Sequence, residues 1–255
     1  MTLSILSDKQ SCGIAAAKLG ATKIRAALAA RGECRIILAT GISQYDMMKQ
    51  LVVEPDIDWS KVEFFHLDEY AGLPADHPAS FRRFIKERLI NNLPVPPKAV
   101  NYVPGDAADL PAALAKLGAH LKEKPVDVCF IGIGENGHIA FNDPPADFDT
   151  EEAYLIVKLD EVCRKQQLGE GWFPTLADVP TQAVSMSVRQ ILKSRSIINI
   201  VTDARKTYAM KITFEGEMSP QHPTSPIRLH PDCVTFCDPA AASGLSKLTR
   251  DFCQK

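Results

Sequence analysis

Four short stretches of this sequence place reactive side chains directly behind apolar runs. The richest is Ile131-Gly132-Ile133-Gly134-Glu135-Asn136-Gly137-His138-Ile139-Ala140-Phe141-Asn142-Asp143-Pro144. Its glycines let backbone approach a ligand closely. Histidine as a side-chain type titrates near neutrality, and His138 can pass a proton to a ring oxygen if a neighbouring acid orients it, a part for which Asp143 is placed. A second stretch, Phe64-Phe65-His66-Leu67-Asp68-Glu69-Tyr70, sets two acids after an apolar run. Buried charge is costly unless something uses or pairs it. One of these carboxylates can serve as a general base beside a carbon next to a carbonyl; the competing reading is a solvated turn or a helix cap.

The other two stretches suit an anion. In Leu38-Ala39-Thr40-Gly41-Ile42-Ser43, a glycine between an apolar run and a helix start turns N–H groups outward, and Thr40 and Ser43 add hydroxyls. Ser43 also reads as an ordinary N-cap. The stretch lacks the lysine and glycine spacing of a nucleotide P-loop and the three glycines of a dinucleotide fingerprint. In Ile200-Val201-Thr202-Asp203-Ala204-Arg205-Lys206, two cations fall in the first turn of a helix, where the helix dipole disfavours them. An anionic partner would remove that conflict; the plainer reading is two solvated surface cations.

These stretches need a scaffold that presents strand ends together. Strands are expected at 35–39, 62–66, 99–103, 126–132, 153–159, 196–202 and 233–237. Several are nearly continuous apolar runs, the pattern of strands buried on both faces of a parallel sheet. Helices are expected at 8–31, 43–52, 80–91, 107–123 and 205–215, with a last one from about 239. Their alternation predicts an α/β fold: an open, mostly parallel, doubly wound sheet with helices on both faces, in a single domain over residues 1–255. Ligands of such sheets gather at the carboxyl ends of the strands.

Composition narrows the partners. The 255 residues are 45% hydrophobic and 24% charged, a globular balance, and the net charge of -2 gives no general attraction to nucleic acid or acidic membranes. The seven cysteines are odd in number and lie partly in apolar runs, which speaks against a disulfide framework. Cys233 and Cys237 flank a strand-like segment with no second Cys/His pair, so no metal site is expected. No apolar stretch approaches the roughly 20 residues that span a bilayer, and no signal pattern opens the chain. A cytoplasmic location follows as the expectation, and the oligomeric state stays open, a homo-oligomer included.

The four stretches, in their order along the chain, resemble the glucosamine-6-phosphate deaminase (isomerase) family, which shares its fold with the 6-phosphogluconolactonases. The likeness runs from about Arg35 to Asp238. Its most specific parts are Leu67-Asp68-Glu69-Tyr70-Ala71-Gly72-Leu73 with His77-Pro78, and Gly134 through Asn142. Thr224-Ser225-Pro226-Ile227-Arg228-Leu229-His230-Pro231 is similar to a late family element. The resemblance implies that Asp68 is the general base that moves the C2 proton of the opened amino sugar to C1. It implies that His138 assists ring opening, with Asn136 and Asp143 standing where the family usually has aspartate and glutamate. It further implies a phosphate loop of Thr40, Gly41 and Ser43, a phosphate-binding Lys206, and Gly137 among the substrate contacts. Arg164 is expected to supply an additional anion contact. The implied reaction converts an amino-sugar 6-phosphate to a ketose 6-phosphate and ammonia with neither metal nor organic cofactor. The alternatives are a lactonase-type hydrolase and a sugar-phosphate sensor without turnover. Tyr70, standing where lactonases tend to have arginine, and the Ile-Ala-Phe-Asn wording after His138 favour the deaminase form.

Overall fold

A computed structural model describes residues 1–169 and 171–253. Among the described residues, ten strands and eight α-helices form, beginning with β1 (Thr2–Ile5), α1 (Lys9–Arg31), β2 (Cys34–Leu38), α2 (Tyr45–Leu51) and β3 (Val62–His66). Then follow β4 (Asp68–Tyr70), α3 (Phe81–Arg88), β5 (Ala99–Asn101), α4 (Leu110–Lys122), β6 (Val128–Ile131) and β7 (Tyr154–Lys158). The chain continues through α5 (Glu161–Gly169), β8 (Gln182–Met186), α6 (Val188–Leu192), β9 (Ser196–Val201), α7 (Thr207–Glu215), β10 (Cys233–Cys237) and α8 (Lys247–Cys253).

Seven strands make one sheet in the order β1-β10-β9-β6-β2-β3-β5, with every pairing parallel. Its central strands are buried on both faces because successive residues serve different layers. Ile36 and Leu38 pack with Cys12, Ala16, Ala17, Ala21 and Ile24 of α1. Ile37 packs with Leu114 and Leu121 of α4 and Ile191 of α6. This is the doubly wound arrangement that the sequence predicts.

The strand order fixes where a site can open. From β2 the chain moves one way, to β3 and β5; from β6 it moves the other way, to β9 and β10. Because β2 and β6 are neighbours, their outgoing loops part at the carboxyl end and leave a crevice between them.

The expected strands all appear, two with the expected bounds and the others shortened or shifted at their ends, but three more join them. β1 closes one edge beside β10, while β8 pairs antiparallel with both β4 and β7 in a separate three-stranded sheet, order β4-β8-β7. The Asp68-Glu69 pair is therefore neither a solvated turn nor a helix start: it is a buried strand one residue beyond β3. Helices α5 and α6 also go beyond the expected set. No helix among the described residues is long and apolar enough to cross a membrane.

Candidate active site

The crevice between the β2 and β6 loops is a pocket open to solvent. Its space, open solvent at its mouth included, amounts to about 940 Å³. Thr40, Gly41 and Ser43 line it from the β2 end, Asp68 from the β3 end, Gly132, Gly134 and His138 from the β6 end, and Thr202, Arg205 and Lys206 from the β9 end. All four stretches singled out in the sequence thus meet on one cavity.

Asp68 is the unusual member. It is 7% exposed, and its Oδ1 is buried without a hydrogen-bond partner among the described residues. Burial first, and the neighbouring Glu69 charge second, push its carboxyl well above the usual range. The contrast with Glu69 is set by strand alternation, which sends adjacent side chains to opposite faces. Glu69 accepts from Ser80 Oγ at 2.6 Å, from Tyr70 N at 2.9 Å and from Arg82 N at 3.1 Å, and Arg82 Nε lies 3.3 Å away. It is a structural carboxylate that secures the start of α3. Ser80, the N-cap of α3, spends its hydroxyl on Glu69 and makes no capping bond of its own.

Upstream of Asp68, His66 is buried and its Nε2 accepts from Val103 N at 2.7 Å, which leaves the ring proton on Nδ1. Burial lowers its pKa to about 3, so it is neutral. Tyr154 donates its hydroxyl to the carbonyl of His66 at 3.1 Å. The segment carrying Asp68 is therefore held from two sides.

His138 is positioned by the glycine turn. Gly134 N donates to His138 O at 2.8 Å, and Gly137 N donates to Gly134 O at 3.1 Å. A Cβ on Gly134 would stand 2.1–2.4 Å from three atoms of the His138 ring, so only glycine lets the imidazole lie there. Asn136 Oδ1 accepts from His138 N at 3.0 Å, while its Nδ2 donates to Asp143 Oδ1 at 3.0 Å. That oxygen of Asp143 is 3.1 Å from His138 Nδ1. Burial works to raise the Asp143 pKa, but the bond and charge of His138, with Asn136, outweigh it and hold the carboxyl below its ordinary range. Asn142 anchors the far side of the turn by donating to Ile139 O at 2.7 Å and Met186 O at 2.8 Å.

The anion side is a cluster of donors. Gly41 takes φ 101, a left-handed value that favours glycine, ahead of a short 3-10 turn, Ile42–Gln44. Helix α2 starts only at Tyr45, and Ser43 makes no capping bond, so its hydroxyl remains at the pocket wall. Lys206 and Arg205 stand opposite, with Arg205 within 3.5 Å of Glu135 and 3.2 Å of Asp203.

Several expected residues lie elsewhere. Asn136, Gly137, Asp143 and Arg164 are not on the pocket wall. Asn136 and Asp143 stand behind His138, and Gly137, at φ 87, packs against Ile212 of α7. Arg164 turns away from any anion: its guanidinium donates to the carbonyls of Leu176 and Val179 and ties α5 to the loop beyond it. His230, in the late family-like element, is also structural, with Nε2 2.8 Å from Ser194 O. Lys9, Thr202, Gln166 and Gln167 line the pocket unforeseen. Thr202 directly follows a strand and carried the same signal as Thr40. Lys9 and the two glutamines carried none, because only the tertiary fold brings α1 and α5 there.

Comparison with known proteins fits this geometry. The chain matches the family model described as glucosamine-6-phosphate isomerases/6-phosphogluconolactonase over residues 7–235. It belongs to that family. Among relatives, the glucosamine-6-phosphate deaminase of Streptococcus sanguinis (strain SK36) is 38% identical over 214 residues, covering 84% of this chain and 88% of its own. That of Latilactobacillus sakei subsp. sakei (strain 23K) is 40% identical over 211 residues, covering 82% and 86%. Among solved structures, a monomeric glucosamine-6-phosphate deaminase superposes with TM-score 0.89 at 27% identity, covering 96% of this chain and 100% of its own. The 6-phosphogluconolactonase of Trypanosoma brucei reaches TM-score 0.74 at 19% identity, covering 96% and 98%, which is a likeness of fold.

Proposed function

We propose that this family member is an amino-sugar 6-phosphate deaminase, with glucosamine 6-phosphate as the first substrate to test. The observation that carries the reading is Asp68: a buried carboxylate oxygen with no hydrogen-bond partner among the described residues, on the same pocket as His138. A fold gains nothing in stability from such a group, whereas a base that must take a proton from carbon needs that proton affinity.

His138, oriented by Asp143 and Asn136, assists opening of the sugar ring. Asp68 takes the C2 proton of the open form and returns it to C1, leaving a C2 imine. Water adds to that imine and ammonia leaves, so amino sugar plus water gives ketose plus ammonia. Thr40, Gly41, Ser43 and Lys206 hold the phosphate, joined by Lys9 and Thr202 from the same wall. The relatives at 38% and 40% identity are named deaminases, which supports this chemistry over lactone hydrolysis.

The test is to incubate the protein with glucosamine 6-phosphate, galactosamine 6-phosphate and 6-phosphogluconolactone, following ammonia, ketose phosphate and acid. Ammonia and ketose phosphate in equal amounts from an amino sugar support the reading. Acid release from the lactone alone, or binding with no product, contradicts it.

A further inference from the structure

Cys163 has no part in the chemistry above, yet it stands beside it. A ligand atom from each of His138, Asp143 and Cys163 lies within 4.8 Å of the others. Cys163 is 1% exposed and His138 7%. Oδ2 of Asp143 is buried without a hydrogen-bond partner among the described residues, and Nδ1 of His138 is buried facing Asp143 Oδ1 at 3.1 Å. Asn136 already occupies the other Asp143 oxygen, so the set resolves to one nitrogen, one oxygen and one sulfur.

We propose that these three side chains form a capture site for a borderline-soft divalent metal ion such as Zn²⁺, and that capture silences His138. Imidazole, carboxylate and thiolate are all zinc ligands, and three of them leave the fourth tetrahedral position for water. Metal–ligand bonds of about 2.0–2.3 Å place ligand atoms about 3.5 Å apart, so the set contracts by about an ångström at its widest. Binding breaks the S–H bond of Cys163, releases that proton to solvent and forms a sulfur–metal bond. With a thiolate, a carboxylate and a neutral imidazole around a 2+ ion, the loaded site carries no net charge, which suits its burial. A metal on Nδ1 leaves the ring proton on Nε2, so His138 has no lone pair free to accept another. The metal is an inhibitor here and not a participant in turnover.

Binding stands on this geometry alone; silencing rests also on the deaminase reading. The whole protein, stripped of metal, is titrated with Co²⁺ while thiolate-to-cobalt charge-transfer absorption is followed. A band that saturates at one equivalent, is lost on adding Zn²⁺ or EDTA, and is missing in Cys163→Ala is the expected result. Cys163→Ser repeats the test with nearly the wild-type volume should the alanine variant unfold. A wild type without the band, or a band unchanged in the folded variant, overturns the site. In the activity arm, Cys163→Ser should need about tenfold more Zn²⁺ for half-inhibition, since even outer-shell losses weaken metal affinity by that much. Equal sensitivity overturns the silencing. A cobalt band in a protein that releases no ammonia would leave the site standing and remove the deaminase reading.

Discussion

The two ends of the central sheet treat buried charge in opposite ways. At the amino end, Arg35, the second residue of β2, is 3% exposed, yet each nitrogen of its guanidinium has a partner. Nε donates to Glu63 at 2.9 Å, and the terminal nitrogens donate to the carbonyls of Leu121, Lys124 and His120. Glu63 is also met by His120 at 2.6 Å and Asn101 at 3.0 Å. Burial works to raise its pKa, but His120, Asn101 and Arg35 together hold the carboxyl low. Asp127 receives Arg31 and the backbone N–H of Arg35. At the carboxyl end, Asp68 and Asp143 each keep a buried carboxylate oxygen without a hydrogen bond among the described residues. A sheet end that satisfies its charges is serving stability; one that leaves them open is serving a ligand.

The sharpest way to break this contrast is to neutralise one charge at each end. Asp68→Asn is expected to lower kcat by about 10²–10⁴-fold, the usual range for a lost general base, with the fold intact. Steady-state ammonia release checks it, and near-normal turnover would remove Asp68 from the chemistry. At the other end, Arg35→Ala leaves Glu63 buried and short of its charge partner. It should cost about 3–5 kcal/mol of stability, read by urea unfolding, while KM of the remaining folded enzyme stays unchanged. Next, Gly134→Ala drives a methyl group into the His138 ring and should cost about a hundredfold in kcat/KM, as misplacements of about an ångström do. Unaltered kinetics would show that the ring has no fixed place to keep.

The smallest effect concerns stability and pH. Burial raises the folded-state pKa of Asp68 above its unfolded value, so between those two values the folded state holds more protons. Stability therefore falls as pH rises through that interval. At neutral pH, Asp68→Asn should melt about 2–4 °C above wild type, the shift that about 1 kcal/mol gives in a chain of this size. The difference should vanish in acid, below the ordinary aspartate range. A variant that melts below wild type at neutral pH would mean that Asp68 is satisfied in the fold after all.

The large sheet was legible in the sequence because buried parallel strands are written as unbroken apolar runs, as in Ile36-Ile37-Leu38 and across β9. The small sheet was legible only in β7, expected at 153–159. β4 is only Asp68–Tyr70, and its polar residues are buried by tertiary partners that no local pattern announces. The pocket was legible in the segments that leave the strand ends, which carry Thr40, Asp68, His138 and Lys206, although Thr202, directly behind β9, was passed over there. It was illegible where a helix from elsewhere closes the wall, as with Lys9 and Gln166. Arg164 shows the converse error: a cation near the site in sequence whose guanidinium is spent on backbone carbonyls.

The central claim is that Asp68 remains open so that it can carry one proton between two carbons of the substrate. Running the reaction in deuterated water tests this directly, because a proton held on a pocket carboxyl exchanges with solvent before delivery. Wild type should place deuterium at C1 of the ketose phosphate and exchange it at C2 of recovered amino sugar, and Asp68→Asn should do neither while still binding substrate. Wild-type levels of exchange in that variant would contradict the account.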